Sequence, residues 1–230
     1  VVDRAEPLLQ LAQRLEVALH RLAIEEITAE LDGVSQALDA FAQAVALPVA
    51  GTTAYGGLVD VGGLQAGQAV LINGGAGGVG SIAIQVAHAL GARVAATCGP
   101  DNLAYVTECG AGHVIDYRAG DVAGAVRTWA PDGVDLVLDA VGLDSLLPSA
   151  VDIVAPGGRY VEIATLISQA SPDAIAQAAE SGVSILSNMD AVMRLPHHLS
   201  GLAGLCAAGG VKPPAIEILP LANAAEAHRR

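Results

Sequence analysis

Aromatic residues are nearly absent from this chain: one Trp, one Phe and four Tyr occur in 230 residues. A core built from it is therefore aliphatic, and the 53% apolar content is ample for one. Lysine is scarcer still, with Lys212 alone. Acidic residues outnumber basic ones by 24 to 11, for a formal charge of −13. That balance repels phosphodiester backbones and anionic lipid, so neither nucleic acid nor a membrane surface is expected as a partner. It also means that a phosphate-bearing ligand has to be met by local cations or helix ends. The cysteines are three, Cys98, Cys109 and Cys206, with no C-x-x-C spacing. That excludes a zinc framework and predicts reduced thiols in a cytoplasmic setting. No uninterrupted apolar run approaches the roughly 20 residues of a membrane span, and no signal peptide is visible.

Several reactive arrangements are missing as well. A Tyr-x-x-x-Lys pair, in which the lysine lowers the pKa of a tyrosine acid, is excluded because no tyrosine stands four residues before Lys212. G-x-S-x-G is absent, which removes the nucleophile elbow of one large hydrolase class. His197 and His198 are adjacent and cannot share a helical face, and no Cys or acid cluster joins them, so no metal site is expected. Asp135 and Asp139 share one face of a predicted strand, where strand-end structure explains them better than an acid pair does.

What is present is concentrated between residues 69 and 97. A short apolar run, Ala69 to Ile72, meets Asn73-Gly74-Gly75-Ala76-Gly77-Gly78-Val79-Gly80. A segment with helical spacing follows to Leu90, and then a second apolar run, Arg93 to Thr97. Gly75, Gly77 and Gly80 fit G-x-G-x-x-G in the strand, turn, helix, strand order of a dinucleotide-binding unit. The first glycine is expected to permit the tight turn, the second to let backbone approach a pyrophosphate, and the third to let helix and strand pack closely. The helix opening near Val79 aims free N–H groups at the phosphates.

Residues 1–38 differ from the rest. Leu8, Leu11, Leu15, Leu19 and Leu22 recur at three- and four-residue steps, predicting a long amphipathic helix that stops at Gly33. Its apolar stripe serves either its own domain or a partner. A second helix is expected over 34–47 and a third from Pro48 to about Val59. Beyond Val70, strands are predicted at His113–Asp116, Val134–Ala140, Arg159–Ala164, Val183–Ser187 and Ala215–Leu219. Helices are expected over Pro100–Glu108, Asp121–Trp129, Leu143–Val154, Pro172–Glu180, Met193–Ala208 and from Leu221 onward. This alternation predicts an α/β fold, a doubly wound parallel sheet (Rossmann) over 39–230 with an N-terminal helical extension.

Several passages together resemble the zinc-free quinone oxidoreductase and enoyl reductase branch of the medium-chain dehydrogenase/reductase family. They are Ala46 to Tyr55, the Gly74–Gly80 loop, Gly110-Ala111-Gly112-His113-Val114-Ile115-Asp116-Tyr117, Asp135 to Gly142, Pro156 to Val161, and the closing Leu219 to Arg229. The likeness covers roughly residues 40–230, the family's cofactor-binding half. Its catalytic lobe has no counterpart, so the chain is either a piece of a longer polypeptide or a member whose lobe was replaced.

The resemblance implies a nicotinamide cofactor. Ala76, Gly77, Gly78 and Val79 are expected to cradle its pyrophosphate. Gly99, Asn102 and Tyr117 are expected near a 2′-phosphate, Thr97 and Cys98 among the cofactor-binding residues just before them, and Val141 and Gly142 beside the adenosine half. Ile163, Ala164 and Thr165 are expected at the nicotinamide, with Thr53 touching the ring or capping a helix. The acid that an NAD site places about 20 residues past its first glycine is missing at Ala95–Cys98, which leans toward NADP over NAD. Arg93 and Arg118 are the nearby guanidiniums in sequence. The implied reaction is hydride transfer to a conjugated small-molecule acceptor, with no side-chain nucleophile and no catalytic residue named. The alternative is a non-catalytic nucleotide-binding or scaffold module within a multi-enzyme assembly. The family also implies a homodimer through the edge strand at 183–187.

Overall fold

The computed structural model describes residues 45–142, 146–164, 170–188, 195–214 and 216–229. The chain divides into two compact units, Val1–Val45 and Ala46–Arg230. The helices expected before residue 45 lie outside the described residues.

The second unit opens with α1 (Pro48–Tyr55), which passes into a π-helical turn over Gly56–Val61. The expected single helix to Val59 is thus two segments of different winding. Six strands follow: β1 (Ala69–Asn73), β2 (Arg93–Cys98), β3 (His113–Asp116), β4 (Val134–Asp139), β5 (Val154–Glu162) and β6 (Ser184–Ser187). Between them come α2 (Gly78–Ala89), α3 (Leu103–Glu108), α4 (Val122–Trp129), α5 (Ala150–Ile153) and α6 (Pro172–Glu180). The described chain closes with α7 (Leu195–Ala207) and the short α8 (Ala224–Ala227).

All six strands are parallel, in the order β3-β2-β1-β4-β5-β6. The order reverses between β1 and β4, and in open α/β sheets the crevice outside the carboxyl ends at that reversal is where ligands bind. The strands read as continuous apolar runs because both faces are covered: every residue of β1 is buried. Val70 and Ile72 face one layer with Ile82, Val86, Leu136, Leu138 and Leu202. Ala69 and Leu71 face the other with Val126, Val137, Ile153 and Tyr160.

Helix starts follow their caps. Asp121 precedes α4 and its Oδ1 accepts from Gly124 N at 2.9 Å. Ser171 Oγ accepts from Ala174 N at 3.1 Å, with Pro172 in the first turn of α6.

Four expectations need correction. The helix predicted from Leu143 is confined to a 3₁₀ turn at Leu147–Ser149 and α5, because Pro148 is tolerated only in a first turn; residues 143–145 lie outside the described part. Strand β5 begins at Val154 and ends at Glu162 rather than running over Arg159–Ala164. Its pairing jumps from Val134↔Val154 to Leu136↔Arg159, so Pro156-Gly157-Gly158 is an irregularity inside the strand. Of the strand predicted at Ala215–Leu219, the described residues 216–219 are not a strand: the pairing edges end at β3 and β6, and Ile216 and Ile218 are exposed. The helix from Pro100 starts as a 3₁₀ turn before α3.

Candidate functional site

The glycine loop between β1 and α2 is fixed by β2. Gly74 N donates to Thr97 Oγ1 at 2.9 Å and Gly75 N to the Thr97 carbonyl at 2.8 Å. Gly74, with φ of +84°, takes the tight turn that the motif assigns to Gly75. Gly75 is required for a different reason: a Cβ there would stand 2.9 Å from Ala96 Cβ and 3.0 Å from Ile84 Cδ1. A Cβ on Gly80 would lie 2.1 Å from the Gly74 carbonyl oxygen. The third glycine therefore lets the helix close onto the loop's own backbone.

Gly77 and Gly78 are exposed and behave in the opposite way. A Cβ on Gly77 would meet only Gly74 O, at 3.4 Å, and one on Gly78 would meet nothing within 4 Å. The space above them is open for an approaching ligand. Gly77 N already donates to Gly74 O at 3.1 Å, so Gly77 offers room rather than an N–H. The donors are the first-turn amides of α2 at Gly78, Val79 and Gly80, a helix end with no side-chain cap and thus an anion site by geometry and dipole. These residues fit a pyrophosphate.

Beneath the loop a buried hydrogen-bonded chain crosses four strands. Thr97 Oγ1 donates to Asn73 Oδ1 at 2.7 Å, and Asn73 Nδ2 to Asp139 Oδ1 at 2.8 Å. Tyr160 OH donates to Asp139 Oδ2 at 2.7 Å. Asp139 Oδ1 also takes the amides of Val141 and Gly142, at 3.0 and 3.1 Å, which shapes the turn after β4. The strand-end role expected of Asp139 is what it performs. Asp135 likewise takes Ala69 N at 2.7 Å. Asn73 and Tyr160 are the members to which the sequence assigned no role. Asn73 sits directly before the glycines, and that position is the signal that could have found it.

A cleft of about 590 Å³ opens over this chain, lined by Asn73, Gly74, Thr97, Tyr117, Asp121, Val141, Leu146 and Ser149 among others. Of the residues expected at the adenosine half it collects Thr97, Tyr117 and Val141; Gly142 is buried behind Val141. Asp121, Leu146 and Ser149 carry no motif and were missed. Gly99 stands beside the cleft: a Cβ on it would be 3.7 Å from Tyr117 OH and 3.8 Å from Arg118 Cζ. The Arg118 guanidinium lies 5.6 Å over the Tyr117 ring. The Tyr117 side chain, ahead of Asp101 and Asp116, holds Arg118 above the ordinary guanidinium range. Asn102 is exposed in the 3₁₀ turn, and its amide donates to Gly99 O at 3.0 Å. Arg93 lies at the opposite end of β2, 5.0 Å over Trp129, and is no part of this site.

Cys98 is 2% exposed, and burial, followed by Asp116, pushes its thiol up from the ordinary value of 9.0. Cys109 and Cys206 are shifted the same way, by burial first. All three are free thiols and poor nucleophiles near neutral pH. Cys98 contributes its backbone, whose carbonyl takes Tyr117 N at 3.2 Å.

At the other half of the edge, Ile163 N donates to Asp139 O at 3.1 Å and Ala164 is exposed just beyond it. Thr165 lies outside the described residues. Thr53 does not cap a helix: its hydroxyl donates back to Val49 O at 2.7 Å, and its carbonyl takes Asn188 Nδ2 at 3.1 Å. His198 is buried with Nε2 2.6 Å from Asp60 Oδ2, a packing role that ties α7 to the π-helical turn. Among the described residues no cluster of His, Cys, Asp or Glu could hold a metal, and no helix is long and apolar enough to cross a membrane.

Comparison with known proteins agrees with this geometry. Residues 78–195 match the zinc-binding dehydrogenase family. A 125-residue stretch is 43% identical to part of the spectinabilin polyketide synthase system protein NorB of Streptomyces orinoci, covering 54% of this chain and 6% of that protein. The quinone oxidoreductase of Pseudomonas syringae superposes with a TM-score of 0.72 at 32% identity, over 81% of this chain and 60% of that one. The CurK enoyl reductase superposes with a TM-score of 0.71 at 28% identity, over 81% and 57%. The chain thus spans a small fraction of the curated relative and somewhat over half of the solved ones. That kinship implies a nicotinamide cofactor. The sheet order is in keeping with that kinship, and by the family match the chain belongs to the zinc-binding dehydrogenase family, within the medium-chain dehydrogenase/reductases, and corresponds to their cofactor-binding half.

Proposed function

We propose that this chain is the NADP(H)-holding half of an oxidoreductase of the enoyl or quinone reductase type. The observation that carries the reading is the open, uncapped start of α2 above Gly77 and Gly78, with Thr97 pinning the loop from below. The Gly78, Val79 and Gly80 amides bind the diphosphate. The cleft floored by Asn73 and Thr97 takes the adenosine half. Ile163 and Thr53 flank the nicotinamide, which when bound supplies the hydride for a conjugated acceptor. The chain's own part is to bind and orient the cofactor.

The preference for NADP rests on two features. No carboxylate stands at the end of β2 to receive a ribose 2′-hydroxyl, and Arg118 is brought beside Gly99 and Tyr117, where a 2′-phosphate would lie. Calorimetric titration with NADPH and NADH tests both points. NADPH is expected to bind more tightly, with Arg118→Ala losing that preference about tenfold. Tighter NADH binding removes the preference, and no heat with either dinucleotide removes the function.

The similarity to a short stretch of a polyketide synthase system protein supports a place in a multi-enzyme assembly, where this unit binds cofactor and other segments take the acceptor. Cofactor binding without turnover by the 230 residues is the result expected from that arrangement. Strand β6 at the sheet edge supports a homodimer formed by pairing β6 with its copy. Light scattering at micromolar concentration tests it, a monomer being the adverse result.

A further inference from the structure

Cations are few in this chain, and three of those described are engaged within the fold. Arg127 pairs with Asp121 at 3.7 Å, Arg159 donates to Gly62 O at 2.6 Å, and Arg118 lies over Tyr117. Arg93 is different. It is exposed at the start of β2, and no Asp or Glu among the described residues pairs with it. One face of its guanidinium stands 5.0 Å over the ring of Trp129. The N–H donors lie in the guanidinium plane, so stacking leaves the edge open to a carboxylate, which it can meet with two parallel bonds.

The surroundings hold that edge in place. The β2–β3 register sets His113 opposite Ala95, on the sheet face that Arg93 shares. His113 stacks on Trp129 with centroids 5.8 Å apart and ring planes 8° from parallel, so the half-buried indole is gripped from the strand. A cavity of about 250 Å³ opens here, walled by Arg93, Trp129, His88 and the backbone at Gly110 and Gly112, and among the described residues no Asp or Glu lines it. His88, exposed in the last turn of α2, stands at this wall because residue 110 is glycine: φ is +109° there, and a Cβ would come 3.0 Å from His88 Cγ. Cavities that take whole small ligands run upward from about 300 Å³. This one has room for the end of a side chain.

We propose that the amino end of the sheet at Arg93 and Trp129 is a docking point for an acidic segment of another protein. One Asp or Glu carboxylate enters the cavity and accepts from the guanidinium edge, its methylene against the indole, with His88 offering a further N–H. The chain's charge of −13 repels such a partner at long range. At physiological ionic strength that field is screened beyond about 8 Å, whereas an unpaired guanidinium acts at contact. Arg93 and Thr97 are four steps apart along β2, about 13 Å of strand, so docking leaves the carboxyl crevice open. The proposal does not depend on the dinucleotide reading.

The test titrates the whole chain with octaglutamate, and with octaglutamine as the neutral control, reading the emission of Trp129. As the chain's one tryptophan it reports from the cavity itself. Affinity is taken from the midpoint, because variants of Arg93 alter the amplitude. Octaglutamate is expected to give a saturable change and to bind at least about tenfold more tightly than octaglutamine. Arg93→Gln is expected to weaken octaglutamate about tenfold, and Arg93→Lys, which keeps the charge and loses the planar fork, nearly as much. Arg229→Gln removes the same charge from the exposed end of the chain and is expected to leave the affinity unchanged. Absence of a saturable change in wild type, or equal binding of the two peptides, overturns the proposal with no variant needed. Equal losses in Arg229→Gln and Arg93→Gln overturn it as well, since the attraction is then general charge. Displacement of octaglutamate by NADPH overturns it by placing the peptide in the phosphate crevice. Saturation by acetate at the same carboxylate concentration overturns it in favour of a small carboxylate only.

Discussion

The two ends of the sheet are finished in opposite ways. At the carboxyl ends, polar side chains are buried and bonded to one another across β2, β1, β4 and β5, from Thr97 through Asn73 and Asp139 to Tyr160. At the amino ends, the polar contacts sit near the surface. Arg93 lies over Trp129, whose ring stacks on His113 with centroids 5.8 Å apart. The sheet packs well at both ends, so stability alone does not call for the difference. Under the proposed function the carboxyl end also holds a loop in one shape beside a dinucleotide, and a buried hydrogen-bonded network gives that fixity. Contacts at a wet surface contribute far less.

The sharpest way to break this contrast is Asp139→Ala. It removes the carboxylate that takes hydrogen bonds from Asn73 Nδ2, Tyr160 OH and two backbone amides. Urea denaturation is expected to show a loss of roughly 3–5 kcal/mol, with dinucleotide binding abolished. A loss under about 1 kcal/mol would mean that the network is ornamental. The glycine loop gives the next largest effect. Gly80→Ala drives a methyl into the Gly74 carbonyl, so the loop has to shift, and affinity is expected to fall by at least about tenfold together with stability. Gly78→Ala meets nothing, so the melting temperature should hold or rise while affinity falls, because the methyl occupies ligand space. Equal behaviour of the two variants would show that the loop's glycines are not divided between packing and access.

A smaller effect follows from Cys98. Its thiol holds its proton to higher pH in the folded chain than in the unfolded one. The folded state therefore binds more protons above the ordinary value of 9.0, and the associated stability is present below that pH and lost as pH rises through the shifted value. Denaturation curves measured from pH 8 to pH 11 should show this decline, reduced in Cys98→Ala; an unchanged slope in the variant would assign the decline to other groups. The smallest effect belongs to the amino end. Arg93→Ala removes a cation from the face of Trp129 and is expected to cost at most about 1 kcal/mol with no change in dinucleotide affinity. A binding defect there would erase the distinction between the two ends.

Much of this is legible in the sequence alone. The alternation of apolar runs with glycine punctuation located all six observed strands, because a covered parallel sheet leaves continuous apolar stretches that short loops must interrupt. The misreadings share a cause. Ala215–Leu219 has the composition of a strand, yet a strand exists only if an edge pairs with it, and composition does not contain the edge. Pro156-Gly157-Gly158 looks like a boundary and is an irregularity within β5, because pairing with β4 resumes after it. In the site, positions fixed by backbone geometry could be read from glycine spacing. Positions that matter through partners distant in sequence could not: Asn73 and Asp139 are 66 residues apart, and Asn188 and Thr53 are 135.

Thr97 makes the tie that reaches furthest in its consequences. Its hydroxyl and its carbonyl together hold the first two glycines of the loop, so the loop moves only if the second strand moves with it. A loop anchored in that way cannot remodel around whatever arrives. Under the proposed function a dinucleotide is expected to meet a cradle already shaped before encounter, with capture limited by diffusion and charge rather than by rearrangement.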